Sequence, residues 1–100
     1  MAYFVVRVEL HDESDYDELN AAMRKRGFSR NIQGKNGRFY RLPTGQYRLE
    51  SASFDRAKVL LKAKAAVAKT GERASITVTE GRTVWSRLDE VRTIGRIRRR

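Results

Sequence analysis

Between residues 3 and 10 the chain alternates. Phe4, Val6, Val8 and Leu10 fall on one face, and Tyr3, Val5, Arg7 and Glu9 on the other, the period-two pattern of a strand covered on one side only. After a polar link the period changes to that of a helix, with Tyr16, Leu19, Ala22 and Met23 on one face. Ser14 is the expected N-cap, and Asp15, Asp17 and Glu18 suit the positive end of the helix dipole. Arg24, Lys25 and Arg26 fill the last turn, and Gly27 is the natural stop. Residues 28–42 read as a hairpin or kinked strand: Phe28, Arg30 and Ile32 extend, Gly34-Lys35-Asn36-Gly37 turns, and Phe39-Tyr40-Arg41-Leu42 resumes. Pro43-Thr44-Gly45 breaks the chain, and Pro43 argues for an edge or bulge there. Residues 46–51 then alternate with Tyr47 and Leu49 inward. Ser53 is expected to cap a second helix reaching about residue 69, with Phe54, Ala57, Leu60, Leu61, Ala65 and Ala68 as its buried stripe and Thr70-Gly71 as its end. Residues 73–80 form the last clear strand, setting Ala74, Ile76 and Val78 against Ser75, Thr77 and Thr79.

This β-α-β-β-α-β order predicts an α+β, ferredoxin-like domain, because two right-handed crossovers interleave into a four-stranded antiparallel sheet with two helices on one face. The first strand is expected in the middle, flanked by the third and fourth. The uncovered sheet face would then show Tyr3, Arg7, Gln46, Arg48, Ser75, Thr77 and Thr79. Beyond Gly81, Val84, Leu88 and Val91 fit a short helix or a strand-and-turn that folds back, with Trp85 packing on the domain. The expected division is a domain over residues 1–88 and a basic C-terminal tail over 89–100, in which Arg92, Arg96, Arg98, Arg99 and Arg100 cannot bury themselves.

Charge changes the picture. Residues 1–23 carry a net −5 and residues 24–100 a net +15, giving +10 overall. A surplus of this size in a 100-residue chain favours an anionic partner: nucleic acid first, an anionic membrane surface second, an acidic protein third. Of the 22 basic residues 16 are Arg, whose planar fork pairs with phosphate and stacks on bases, whereas solubility alone is served as well by Lys. The absence of cysteine removes disulfides and thiolate chemistry, and a single histidine argues against zinc sites and catalytic triads. No signal-peptide pattern is present, and no apolar run approaches the about 20 residues that span a bilayer, so a cytoplasmic protein without a membrane role is expected.

Three constellations carry candidate chemistry. The open sheet face is polar and partly basic, but Tyr3 is the only aromatic expected on it, a poor match to an RRM platform. Residues 24–48 interleave Arg24, Lys25, Arg26, Arg30, Lys35, Arg38, Arg41 and Arg48 with Phe28, Phe39, Tyr40 and Tyr47. Such a mixture can hold phosphates and stack on unpaired bases, with Tyr40 the ring expected to be available. Glu9, His11, Asp12 and Glu13 close the first strand. A carboxylate cluster beside an imidazole can hold Mg²⁺ or move the proton of a ribose 2′-OH, and equally suits a solvated loop feeding a helix N-terminus.

Several stretches resemble the GhoS-type endoribonuclease antitoxins of type V toxin–antitoxin systems. They are Val6-Arg7-Val8-Glu9-Leu10-His11, Asp15-Tyr16, Arg26-Gly27-Phe28-Ser29-Arg30, Tyr40-Arg41-Leu42-Pro43-Thr44, Val78-Thr79-Glu80 and Arg82-Thr83-Val84-Trp85. The likeness covers roughly residues 3–88. It implies a ferredoxin-like domain, related in shape to the small CRISPR-associated adaptation nuclease, that cleaves a single-stranded mRNA encoding a membrane-damaging toxin peptide. In that relative an aspartate closes the first strand; here the equivalent place offers His11 followed by Asp12.

The resulting expectation is a monomer or homodimer that binds single-stranded RNA, or DNA, through Arg7, Arg30, Lys35, Arg38, Tyr40, Arg41, Arg48, Arg96, Arg98 and Arg99. Any cleavage is expected at His11 and Asp12, by metal-assisted or 2′-OH-mediated chemistry, with Arg30, Arg41 or Arg48 steadying the pentavalent phosphorus. Two other classes stay open: a non-catalytic nucleic-acid binder, and a phage or mobile-element inhibitor that docks its basic face on a protein partner.

Overall fold

A computed structural model describes residues 1–12 and 16–91. The expected Ser14 cap and the basic residues 92–100, including Arg96, Arg98 and Arg99, lie outside them. Strand β1 (Ala2–Leu10) runs through the centre of a sheet ordered β4-β1-β5, between β4 (Gln46–Ser51) and β5 (Ala74–Glu80), both antiparallel to it. Helices α1 (Tyr16–Lys25) and α2 (Arg56–Thr70) cover one side of this sheet. Phe4, Val6, Val8 and Leu10 of β1 share a core with Leu19, Ala22 and Met23 of α1, Val59, Ala63, Ala66 and Val67 of α2, Phe28 and Tyr47. The alternation of β1, the inward face of α1 and the placing of β1 between residues 46–51 and 74–80 are therefore as the sequence pattern predicts.

No helix among the described residues covers the opposite side of the sheet. Arg7, Ser75, Thr77 and Thr79 are exposed there, and Tyr3, Gln46 and Arg48 half-buried. Register places Arg48, Val5 and Thr79 in one row, and Gln46, Arg7 and Thr77 in the next. Two local contacts fix the frame. The Leu10 N–H donates to the Tyr16 hydroxyl at 3.1 Å, tying the end of β1 to the start of α1. Gly45, at φ +84°, presses against β1 so closely that a Cβ there would sit 2.6 Å from the Val8 carbonyl oxygen.

The expected four-stranded sheet is not what the chain builds. Residues 28–42 give two short strands, β2 (Asn31–Gln33) and β3 (Phe39–Arg41), joined by the expected turn. These form a second antiparallel sheet, ordered β2-β3-β6, with β6 (Glu90–Val91). Among the described residues, the pairing between the sheets is the single bridge Ser29–Arg48. Beyond that bridge the hairpin pairs with the chain after β5, from which it takes its third strand. That third strand falls at residues 90–91, inside the segment expected as tail.

Helix α2 differs in detail. Its N-cap is Asp55, whose carboxylate accepts the Lys58 N–H at 2.8 Å, in place of the expected Ser53. Its buried residues are Val59, Ala63, Ala66 and Val67, whereas Ala57, Ala65 and Ala68 are exposed and Leu61 is 62% exposed. Apolar residues lie almost all round this helix, so its sequence does not single out one face, and docking against α1 and the β1 and β5 strands chooses it.

Candidate nucleic-acid interface

Helix α1 ends in Arg24 and Lys25, cations that suit the negative end of its dipole. The chain then reverses through Gly27, at φ +91°, and buries Phe28 in the main core. That anchor holds residues 29–31 against the flank of α1. Ser29 exchanges backbone hydrogen bonds with Arg48 at 2.9 and 2.8 Å, and its hydroxyl accepts the Asn31 N–H at 3.0 Å. Across the hairpin, Arg41 Nε donates to Asn31 Oδ1 at 2.9 Å. The result is an open cleft of about 420 Å³, to which Asp17, Asn20, Arg24, Ser29, Arg30, Asn31 and Arg41 contribute.

Arg30 is the unusual member. Its Nε is shut off from solvent and has no hydrogen-bond partner among the described residues. The side chain lies near Tyr47, whose ring is fully buried and whose hydroxyl donates to Asn20 Oδ1. Burial pushes the Tyr47 phenol up to about 12, against the opposing pull of the Arg30 cation, so the ring is neutral at ordinary pH and serves as a hydrogen-bond donor. Guanidinium groups donate and never accept. Three arginines give the cleft a surplus of positive charge, and its lining also includes one carboxylate, that of Asp17.

The remaining expected binding residues are distributed around this cleft. Lys35 and Arg38 are exposed at the hairpin, where Arg38 lies 3.7 Å from Glu90. Arg48 is half-buried on the open face and pairs with Glu50, and Arg7 is exposed two residues further along β1 from the Arg48 row. Tyr40 is not the free ring. It is half-buried, its centroid is 5.6 Å from that of Trp85, and its hydroxyl accepts from Asn36 Nδ2 at 3.0 Å. Its neighbour Phe39, 42% exposed, is the presented aromatic, because alternation in β3 turns one of the two outward when the other packs.

The expected catalytic pair lies elsewhere. His11 follows β1, where its Nε2 is 2.9 Å from Ser75 Oγ and its backbone N–H donates to the Arg73 carbonyl at 2.8 Å. Asp12 is exposed beside it. Arg48 pairs with Val5, six residues back along an extended strand, so roughly 20 Å of backbone separates His11 from the Arg48 row. The structure thus gathers Arg24, Arg30 and Arg41 but does not bring Arg30, Arg41 or Arg48 to His11 and Asp12. Among the described residues, no group of three or more His, Asp or Glu side chains is placed to hold a metal ion; Glu13, a member of the expected Glu9, His11, Asp12 and Glu13 cluster, lies outside them. No helix among the described residues is long and apolar enough to cross a membrane.

Reasoning from sequence missed Asn20, Ser29 and Asn31. Neutral polar residues carry no signal until the fold sets them beside the arginines. Comparison with protein-family models, with curated proteins and with solved structures gives no match for this chain.

Proposed function

We propose that the chain binds single-stranded RNA, holding phosphates in the Arg24–Arg30–Arg41 cleft and along the adjoining hairpin. The observation that carries this reading is the convergence of three arginines, Arg24, Arg30 and Arg41, on one cleft. A bound phosphate oxygen supplies acceptors to such groups, and Arg–phosphate pairs are strong and geometrically matched. The exposed Phe39 beside the cleft adds a face on which an unpaired base can stack.

In this reading the domain is ferredoxin-like, with its fourth strand reduced to the Ser29–Arg48 bridge, and it is a relative of the GhoS-type antitoxins. Support comes from the strand order around β1, from both helices lying on one side, and from the sequence stretches named above. Cleavage of the bound RNA at His11 and Asp12 is the further step of that resemblance. The distance from those residues to the arginines favours binding over cutting as the function of the cleft itself.

The test is a titration of labelled, unstructured RNA at several salt concentrations, with a denaturing gel run in parallel. Replacing Arg24, Arg30 and Arg41 by Gln is expected to weaken binding and to flatten the log–log salt dependence by about 2, the loss of three phosphate contacts on a single strand. An unchanged salt slope removes the cleft from the interface. Products that vanish in the His11→Ala, Asp12→Ala double variant, with affinity retained, mark a ribonuclease. Intact RNA at full occupancy marks a binder.

A further inference from the structure

The strap that follows β5 gives the open sheet face a feature that the arginine cleft lacks. Gly81, at φ +144°, ends the strand and its N–H donates to the Tyr3 carbonyl at 2.8 Å, which turns the next residues back across the sheet. Arg82 lands on Tyr3, its guanidinium carbon 4.6 Å from the ring centroid. Three residues later Trp85 meets the hairpin, with its ring tilted 50° against Tyr40. Gly34 permits this approach, since a Cβ there would sit 3.1 Å from Tyr40 Cε2 and 3.4 Å from Trp85 Cζ2. Between the stacked Tyr3–Arg82 pair and Trp85 lies a groove of about 100 Å³, lined also by Val5, Ile32 and Gln33.

We infer that this groove receives an unpaired nucleobase of a bound single strand. Its walls are a cation stacked on a phenol ring and an indole, both of which present planar faces to a flat, polarisable ligand. Its lining includes the apolar Val5 and Ile32. Gln33 commits its amide N–H to the Gly37 carbonyl at 3.1 Å, leaving its amide oxygen as an acceptor for a base edge. Arg48 and Arg82 set positive charge beside the groove, where the phosphates flanking an inserted base would run. An apolar peptide side chain would use the lining but not the stacked guanidinium or the polar edge. The site is separate from the Arg24–Arg30–Arg41 cleft and takes a different part of the same ligand, so the inference rests on the RNA reading.

The chain contains a single tryptophan, so indole emission comes from Trp85, a wall of this groove. The full chain is titrated with an RNA octamer and, separately, with an abasic octamer carrying the same sugar–phosphate backbone, while gel shift follows binding of each. The expected result is quenching of Trp85 by the RNA and none by the abasic strand at equal occupancy. Affinity for the RNA should fall about tenfold in Tyr3→Leu and in Arg82→Gln, the loss of one stacked base, with the abasic strand far less affected. The wild-type quenching needs no variant, so a folding defect in either substitution does not decide the outcome. Binding of the RNA without quenching, or equal quenching by both strands, overturns the base site and leaves the RNA reading intact. Failure of both strands to bind overturns both. Quenching by an aromatic peptide but not by the RNA overturns the inference in favour of a protein ligand.

Discussion

In the β4-β1-β5 sheet the strands run for six to nine residues and lay one side on two helices. In the β2-β3-β6 sheet they run for two or three, and their buried residues are not part of the core packed under the helices. The first sheet holds the large core and few of the candidate ligand groups. The second, with the 81–89 strap, carries Arg30, Lys35, Arg38, Arg41, Phe39 and Trp85, and its own buried residues Ile32 and Leu42 stand apart from the main cluster. Such a division is physically sensible. Ligand groups need exposure and some freedom, and a well-packed frame supplies the order that a small sheet cannot supply for itself.

The largest expected effect tests that division directly. Leu19 is fully buried between the helices and the sheet, and Leu19→Ala is expected to cost about 2–5 kcal/mol, read as a fall in the urea midpoint. Leu42 is equally buried but belongs to the smaller region. Leu42→Ala is therefore expected to speed amide exchange at Ile32 and Tyr40 while Val6 and Val8 keep their protection. If both substitutions lower protection everywhere alike, the two regions are one cooperative unit and the comparison fails.

Gly45 tests the frame next to the point where the chain passes from one region to the other. It holds a positive φ, its carbonyl accepts the Val8 N–H at 2.7 Å, and a Cβ would collide with the Val8 backbone. Gly45→Ala combines a strained backbone conformation with that clash, so a loss of about 1–3 kcal/mol in denaturant unfolding is expected. A neutral result would show that the turn at residues 43–45 does not set the register of β4 on β1.

The same contrast explains what the sequence discloses. β1 alternates over its whole length and α1 carries one clean apolar stripe with a glycine stop, so pattern and structure agree at Leu19, Ala22 and Met23. The face of α2 is not legible, because alanines and leucines surround it and burial is decided by what it docks on. β6 has two residues, too few for any period. The hairpin turn was readable from Gly34 and Gly37, yet its departure from β4 was not, since local pattern does not say which neighbour a short strand will choose. The arginines of the cleft were visible one by one; their meeting with Asn20, Ser29 and Asn31 is a property of the fold. Arg82 reaches the open face only because the strap crosses back over Tyr3.

The smallest effect sits where frame and cleft touch. Tyr47 belongs to the main core, but its hydroxyl donates to Asn20 at the cleft, near Arg30. At neutral pH, Tyr47→Phe removes one hydrogen bond and leaves Asn20 without that donor, a loss of about 1 kcal/mol. Alkali changes the comparison. The phenol titrates near 10.0 when unperturbed and at about 12 in the fold, so between these values the unfolded chain has released a proton that the folded chain still holds. Fewer protons on the unfolded state mean that stability falls as pH rises through this window. The Phe variant has no such proton, so its deficit against the wild type should shrink from pH 10 upward, as measured by paired urea titrations. A deficit that stays constant across the window would mean that Tyr47 is not held as a buried, neutral donor beside Asn20.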